Sequence, residues 1–117
     1  MEIAEFTLRL ARVRERFATA LTGKLDDSYA CIPKLPDKDA AAIETIIVMH
    51  RRLHEMCGIA PSVGFPATGK AARAAEAVLR DPAKFRRSLT AAEVASFTTE
   101  LDGLRAATQS DLQTSSS

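Results

Sequence analysis

Apolar residues recur in this chain at steps of three and four, and no segment alternates at steps of two. In the first run, Ile3, Phe6, Leu10, Val13, Phe17 and Leu21 follow one another at that spacing, with arginines between them. A helix turns once every 3.6 residues, so the spacing lines one helical face, whereas a half-buried strand needs every second residue apolar. The chain is thereby confined to helices, and its prolines and capping residues set how many. The first helix is expected from about Ile3 to about Ile32, with Gly23 loosening its second half and Leu25, Tyr29 and Ile32 continuing the stripe.

Pro33 and Pro36 bracket a short turn. Asp37 and Asp39 then offer N-cap and first-turn carboxylates for a second helix reaching about Ile59. Its stripe of Ala42, Ile46, Met49, Leu53 and Met56 alternates steps of four and three, the pattern of a bundle seam. The stretch Pro61-Ser62-Val63-Gly64-Phe65-Pro66 breaks the pattern. Pro66 suits the first position of a third, alanine-rich helix that runs to about Arg80 and is ended by Asp81-Pro82. A connection of about eight residues follows. Thr90-Ala91-Ala92-Glu93 is a capping box for the fourth helix, with Leu89 placed to staple onto Val94. Val94, Phe97, Leu101 and Leu104 give its inward stripe. From about Gln109 to Ser117 the chain reads as a frayed tail. The expectation is an all-α, antiparallel up-down-up-down four-helix bundle over residues 1–108 with a flexible tail over 109–117.

Composition narrows the function classes. With 117 residues the chain suits one domain, and 46% hydrophobic residues suffice for a core. A formal net charge of +1 gives no field that favours nucleic acid or an acidic membrane. The absence of tryptophan and an aromatic content of 5% argue against a base-stacking platform. No apolar run approaches the roughly 20 residues of a membrane span, and Glu2 and Glu5 stand where a signal peptide would be basic and then apolar. Cys31 and Cys57 have no framework spacing and suit reduced thiols in a cytoplasm.

The chemistry is concentrated on the second helix, in His54-Glu55-Met56-Cys57-Gly58 followed by Gly64-Phe65. A glycine inside a helix costs about 0.5–1 kcal/mol against alanine. Gly58 lies one turn beyond His54 on the same face, where a missing side chain lets something large reach the ring. At about 100° per residue, His54 falls at the edge of the buried face defined by Leu53. Ile43 and Ile47 lie close beside it, His50 between them and the core, and Arg51 and Gly58 toward solvent. An imidazole in that position is expected to be partly exposed, with an apolar flank that could meet a partner. Imidazole is nucleophilic near neutral pH, because one ring nitrogen can attack phosphorus while the other carries the proton.

The segment Leu53-His54 through Gly58, followed by Val63-Gly64-Phe65-Pro66, resembles the signature of histidine-containing phosphotransfer (HPt) domains. That signature has a phosphoacceptor histidine, a glycine four residues on and a second glycine ten residues on. The alanine-rich run Ala71-Ala72-Arg73-Ala74-Ala75-Glu76-Ala77-Val78-Leu79 and the four-helix layout are similar to the family as well. The resemblance implies that His54 accepts a phosphoryl group from a receiver-domain aspartate or a hybrid histidine kinase. It would then pass the group to another receiver aspartate. It also implies no cofactor of the chain's own, the receiver bringing Mg²⁺, and no nucleic-acid or membrane partner. Many HPt domains carry a lysine three residues after the histidine, and here Cys57 stands there. Arg51, or Lys70 at the start of the third helix, could take over its charge. A bundle that binds a receiver or kinase without accepting phosphoryl is the rival reading, and the Cys57 departure is what feeds it.

Other patterns carry less. His50 and His54 have the four-residue spacing of a metal pair on one helix face, but the sequence offers no third ligand nearby, and no metal is expected. Gly64-Phe65-Pro66-Ala67-Thr68-Gly69-Lys70 matches the spacing of a P-loop, yet Ala71 replaces the Mg²⁺-binding hydroxyl and no strand precedes it. Cys57 reads as a small apolar filler near the seam, and Lys84-Phe85-Arg86-Arg87 as a solvated connector.

Overall fold

The computed structural model of the chain describes residues 2–116, with side chains described for residues 3–114. It is all-helical, with no strand among the described residues. Helix α1 spans Glu2–Cys31, α2 spans Ala40–Ser62, α3 spans Pro66–Lys84 and α4 spans Ala91–Ser116. A single 3₁₀ turn at Ile32–Lys34 follows α1, where Pro33 is compatible with a first-turn position.

Helix α1 runs unbroken through Gly23, where an added Cβ would meet nothing within 4 Å. Helix α2 starts as its sequence directs: Asp39 is the N-cap and accepts from the Ala42 amide at 2.8 Å. Its whole expected stripe of Ala42, Ile46, Met49, Leu53 and Met56 is buried, together with Ala60. On α4, Phe97, Leu101 and Leu104 are fully buried and Val94 half so. Ile46, Met49, Leu53, Met56, Phe97, Leu101 and Leu104 form one core cluster with Leu21, Leu25, Leu35, Ala72, Ala75, Leu79 and Leu89, and Val94 packs against it.

Two prolines expected to end helices lie inside them. Helix α2 passes through Pro61 to Ser62, and α3 passes through Pro82 to Lys84. In a last turn a proline removes only one backbone bond, and the ends are then closed by local bonds. After α2, Phe65 donates to Ala60 at 2.8 Å and Gly64 to Pro61 at 3.3 Å, with Gly64 at φ 88°. That left-handed closure needs glycine, and Phe65 and Ala60 bury their side chains across it. After α3, Arg87 donates to Pro82 at 3.0 Å while Arg86 takes φ 51°, an unusual conformation for a residue with a side chain.

The residues from Gln109 on, expected as a frayed tail, are helical through Ser116. The reason is Asp111, which is buried and reaches the start of α3. It accepts from the Thr68 amide at 2.7 Å, the Ala67 amide at 3.3 Å and the Thr68 hydroxyl at 2.8 Å. A capping group arrives from another helix 43 residues away. It also occupies the amides that a P-loop would turn toward phosphate.

Helix α3 packs between α2 and α4. Gly69 permits the close approach to α2, since a Cβ there would come within 2.9 Å of Pro61. Helix α1 is joined to α4 by Tyr29, whose hydroxyl bonds Asp102 and whose ring lies 4.3 Å from the Arg105 guanidinium. Phe17 meets Phe65 edge-on at 5.1 Å between centroids. The first half of α1 differs from the expected stripe: Ile3, Phe6, Leu10 and Val13 are exposed. At the other end, the α4 capping box closes in both directions, Glu93 amide to Thr90 hydroxyl at 3.1 Å and Thr90 amide to Glu93 at 2.9 Å. Arg87, read as part of a solvated connector, grips the same Glu93 through both terminal nitrogens at 2.8 and 3.0 Å.

Candidate functional site around His54

Helix α2 carries His54 on the edge of its buried stripe, between Leu53 inside and Glu55 outside, and the side chain is 73% exposed. Its Nδ1 lies 2.9 Å from Oε1 of Glu76 on α3. Glu76 sits among Ala72, Ala75 and Leu79 on the buried face of its helix. Burial alone would raise its pKa. The hydrogen bond from His54, the one from Cys57 and the charges of His54 and His50 outweigh burial and hold it below the ordinary value. An ionised carboxylate can only accept, so Nδ1 of His54 carries the proton that faces Glu76, and whenever the ring is neutral Nε2 is the nitrogen with the lone pair.

Two more side chains address the same carboxylate. Cys57 Sγ lies 3.5 Å from Oε2, and burial together with the Glu76 contact raises the thiol pKa, against a smaller opposing effect of Arg73. A protonated thiol is a weak nucleophile. His50 Nε2 lies 3.4 Å from Oε1 without hydrogen-bond alignment, and this buried nitrogen has no hydrogen-bond partner. Among the described residues, no group of three or more His, Cys, Asp or Glu side chains is disposed to hold a metal ion.

His54 lines an open groove of about 520 Å³ between α2 and α3. Ile47, His50 and Arg51 line it from α2, and Glu76, Arg80, Ala83 and Lys84 from α3. Its floor is apolar at Ile47 and Ala83, and its rim carries three cations. No carboxylate pairs with Arg51, Arg80 or Lys84 among the described residues. Of the side chains singled out in the sequence, the structure thus brings Ile47, Arg51 and His54 together. Lys70 and Cys57 line a separate groove of about 360 Å³ with Pro61, Pro66, Gly69 and Arg73. Ile43 is half-buried one turn before Ile47 and lines neither groove. Gly58 is exposed, and a Cβ there would meet nothing within 4 Å, so the fold itself does not require glycine.

Sequence reasoning missed Glu76, Arg80 and Lys84. A signal existed: the three are four residues apart and share a face of α3. What the spacing could not give is that this face meets His54.

Comparison with family models, with curated proteins and with solved structures finds no match to this chain. No helix is long and apolar enough to cross a membrane among the described residues.

Proposed function

We propose that this protein is a phosphorelay intermediate of the histidine-containing phosphotransfer type, with His54 as the phosphoacceptor. The observation that carries the reading is an exposed imidazole whose Nδ1 proton is held by a buried, ionised Glu76. That arrangement fixes one tautomer and presents Nε2 as the nucleophile. Nε2 attacks the phosphorus of an aspartyl phosphate on a receiver domain, or of a phosphohistidine on a hybrid kinase. The N–P bond forms as the P–O bond to aspartate, or the donor's P–N bond, breaks, and the donor side chain leaves with the electron pair. A second receiver aspartate takes the phosphoryl group by the same displacement at Nε2. Formation of the N–P bond leaves the Nδ1-protonated ring positively charged, and Glu76 balances that charge until the phosphoryl group is passed on. Any Mg²⁺ would come with the receiver.

Arg51, Arg80 and Lys84 supply positive charge along the groove beside His54, where the phosphoryl oxygens would gather. Lys70 is the weaker candidate for the missing lysine, because it lines the other groove. The bundle is read as antiparallel, up-down-up-down. Supporting this, late residues of α2 meet early residues of α3 at Pro61 and Gly69, and early residues of α3 meet late residues of α4 at Thr68 and Asp111.

A second reading has its own observation. Cys57 stands where such domains often carry lysine, and its thiol turns to Glu76 rather than outward. A bundle that docks receivers without accepting phosphoryl would tolerate that. Incubation with a radiolabelled phospho-receiver or hybrid kinase separates the two. The phosphotransfer reading expects a base-stable, acid-labile label that His54→Gln abolishes. Binding without label would make the chain an adaptor, and neither binding nor label across a panel of receivers and kinases would defeat both readings.

A further inference from the structure

The first half of α1 holds an apolar stripe in water that the rest of the chain does not cover. Ile3 is 82% exposed, Phe6 67%, Leu10 42% and Val13 46%. At about 100° per residue, these side chains share a face with Phe17, Leu21 and Leu25. Those later residues turn inward, Leu21 and Leu25 into the core and Phe17 against Phe65. Helix α1 therefore carries one continuous apolar face, of which the later half is core and the earlier half overhangs the bundle. The molecule is accordingly long, 57 × 21 × 20 Å. Scattered exposed apolar residues are ordinary, but a contiguous row on one helix face marks a contact surface.

Spacing and charge indicate what covers it. From Ile3 to Phe17 the steps run three, four, three, four. That is the seam of two helices packed along one another rather than of a helix lying on a flat surface. The charges along this stretch are uneven. Glu5 stands near the start with no base before Arg9, whereas Arg9, Arg12 and Arg16 follow with only Glu15 opposing them, and Arg14 turns onto Gly64 and Phe65 of its own chain. A second copy lying antiparallel sets the acidic turns of each helix beside the arginine-bearing turns of the other. A parallel copy would set arginines against arginines.

We propose that this chain forms a two-fold symmetric dimer through residues 3–13 of α1, with the two helices antiparallel. Three turns of helix make a short seam at the low end of stable interfaces, so the dimer should form reversibly with rising concentration. The groove beside His54 is lined only from α2 and α3, so both copies keep it open. This inference does not depend on the proposed function.

Sedimentation velocity of the whole chain from about 1 to about 500 μM tests it. The mass is expected to rise from 12.6 kDa to twice that value with concentration. The double substitution Phe6→Glu/Leu10→Glu should hold the chain monomeric at every concentration, with unchanged circular dichroism, since both side chains are exposed in the monomer. Raising salt from about 50 to about 500 mM should weaken the dimer, because unlike charges then attract less. A monomer throughout, whether or not α1 then binds anionic vesicles or another protein, overturns the proposal. So does self-association that survives the double substitution, and a dimer strengthened by salt overturns the antiparallel arrangement.

Discussion

Glu76 is a carboxylate at a position that the spacing of α3 assigns to the core. Its neighbours on that face are Ala72, Ala75 and Leu79, and it remains ionised because His54 and Cys57 bond it from α2. Removing such a partner leaves a buried acceptor unmatched, which is why the imidazole and carboxylate hold one geometry. Gly58 poses the opposite case, a residue that the fold does not need. With open space around its missing Cβ, Gly58→Ala should stabilise the protein by about 0.5–1 kcal/mol, read from chemical denaturation. A bulkier Gly58→Leu should slow phosphoryl transfer from a receiver several-fold or more while the fold stays intact. Equal transfer by Gly58→Leu and the natural chain would remove any partner from the space beside His54. At this scale the exposure of His54 was legible, because it follows from angular position relative to Leu53. Its partner was not, because periodicity places Glu76 on a buried face without saying which helix that face meets.

Helices α3 and α4 are closed at their first turns by identifiable side chains. Glu93 closes the α4 capping box and also receives both terminal nitrogens of Arg87. The Arg87 hydrogen bond is the main cause that lowers its pKa from 4.5 to about 2, against the opposing effect of burial. Because the folded value lies below the unfolded one, this stabilisation is complete above about pH 4.5 and is lost as pH falls toward 2. Thermal melts across that window should show the natural chain losing stability more steeply than Glu93→Gln, and parallel curves would mean the pair contributes nothing. Asp111 does comparable work for α3 from a distance. Asp111→Ala strands the Ala67 and Thr68 amides and leaves the Thr68 hydroxyl with only Thr108, and should cost about 2–3 kcal/mol in urea unfolding. A cost below about 0.5 kcal/mol would return the C-terminal turns to the frayed tail their composition suggests. The capping box was readable because its partners lie three residues apart. The Asp111 cap was not, since a serine-rich end gives no local sign that an aspartate within it reaches another helix.

Across the whole molecule, two surfaces do different work. One is the groove between α2 and α3, with its apolar floor, exposed imidazole and the cations Arg51, Arg80 and Lys84. The other is the overhanging face of α1, apolar along one row and charged beside it. Their separation means that pairing through α1 leaves the groove open, so a relay partner would meet the same site in monomer and dimer. Helix α3 connects the Asp111 cap to the groove. Its first turn is capped from α4, its middle holds Glu76 against α2, and its last turns place Arg80 and Lys84 along the groove.

Sequence alone determined the helical class, the approximate start of each helix, the buried stripe of α2 and the capping of α4. Each of these rests on interactions within a few residues, where spacing is geometry. Tertiary structure alone decided that Asp111 orders the last turns, that Ile3 to Val13 remain in water and that Glu76 meets His54. All three depend on which face of one helix lies against which face of another, and the register between helices is not written in the period of either one.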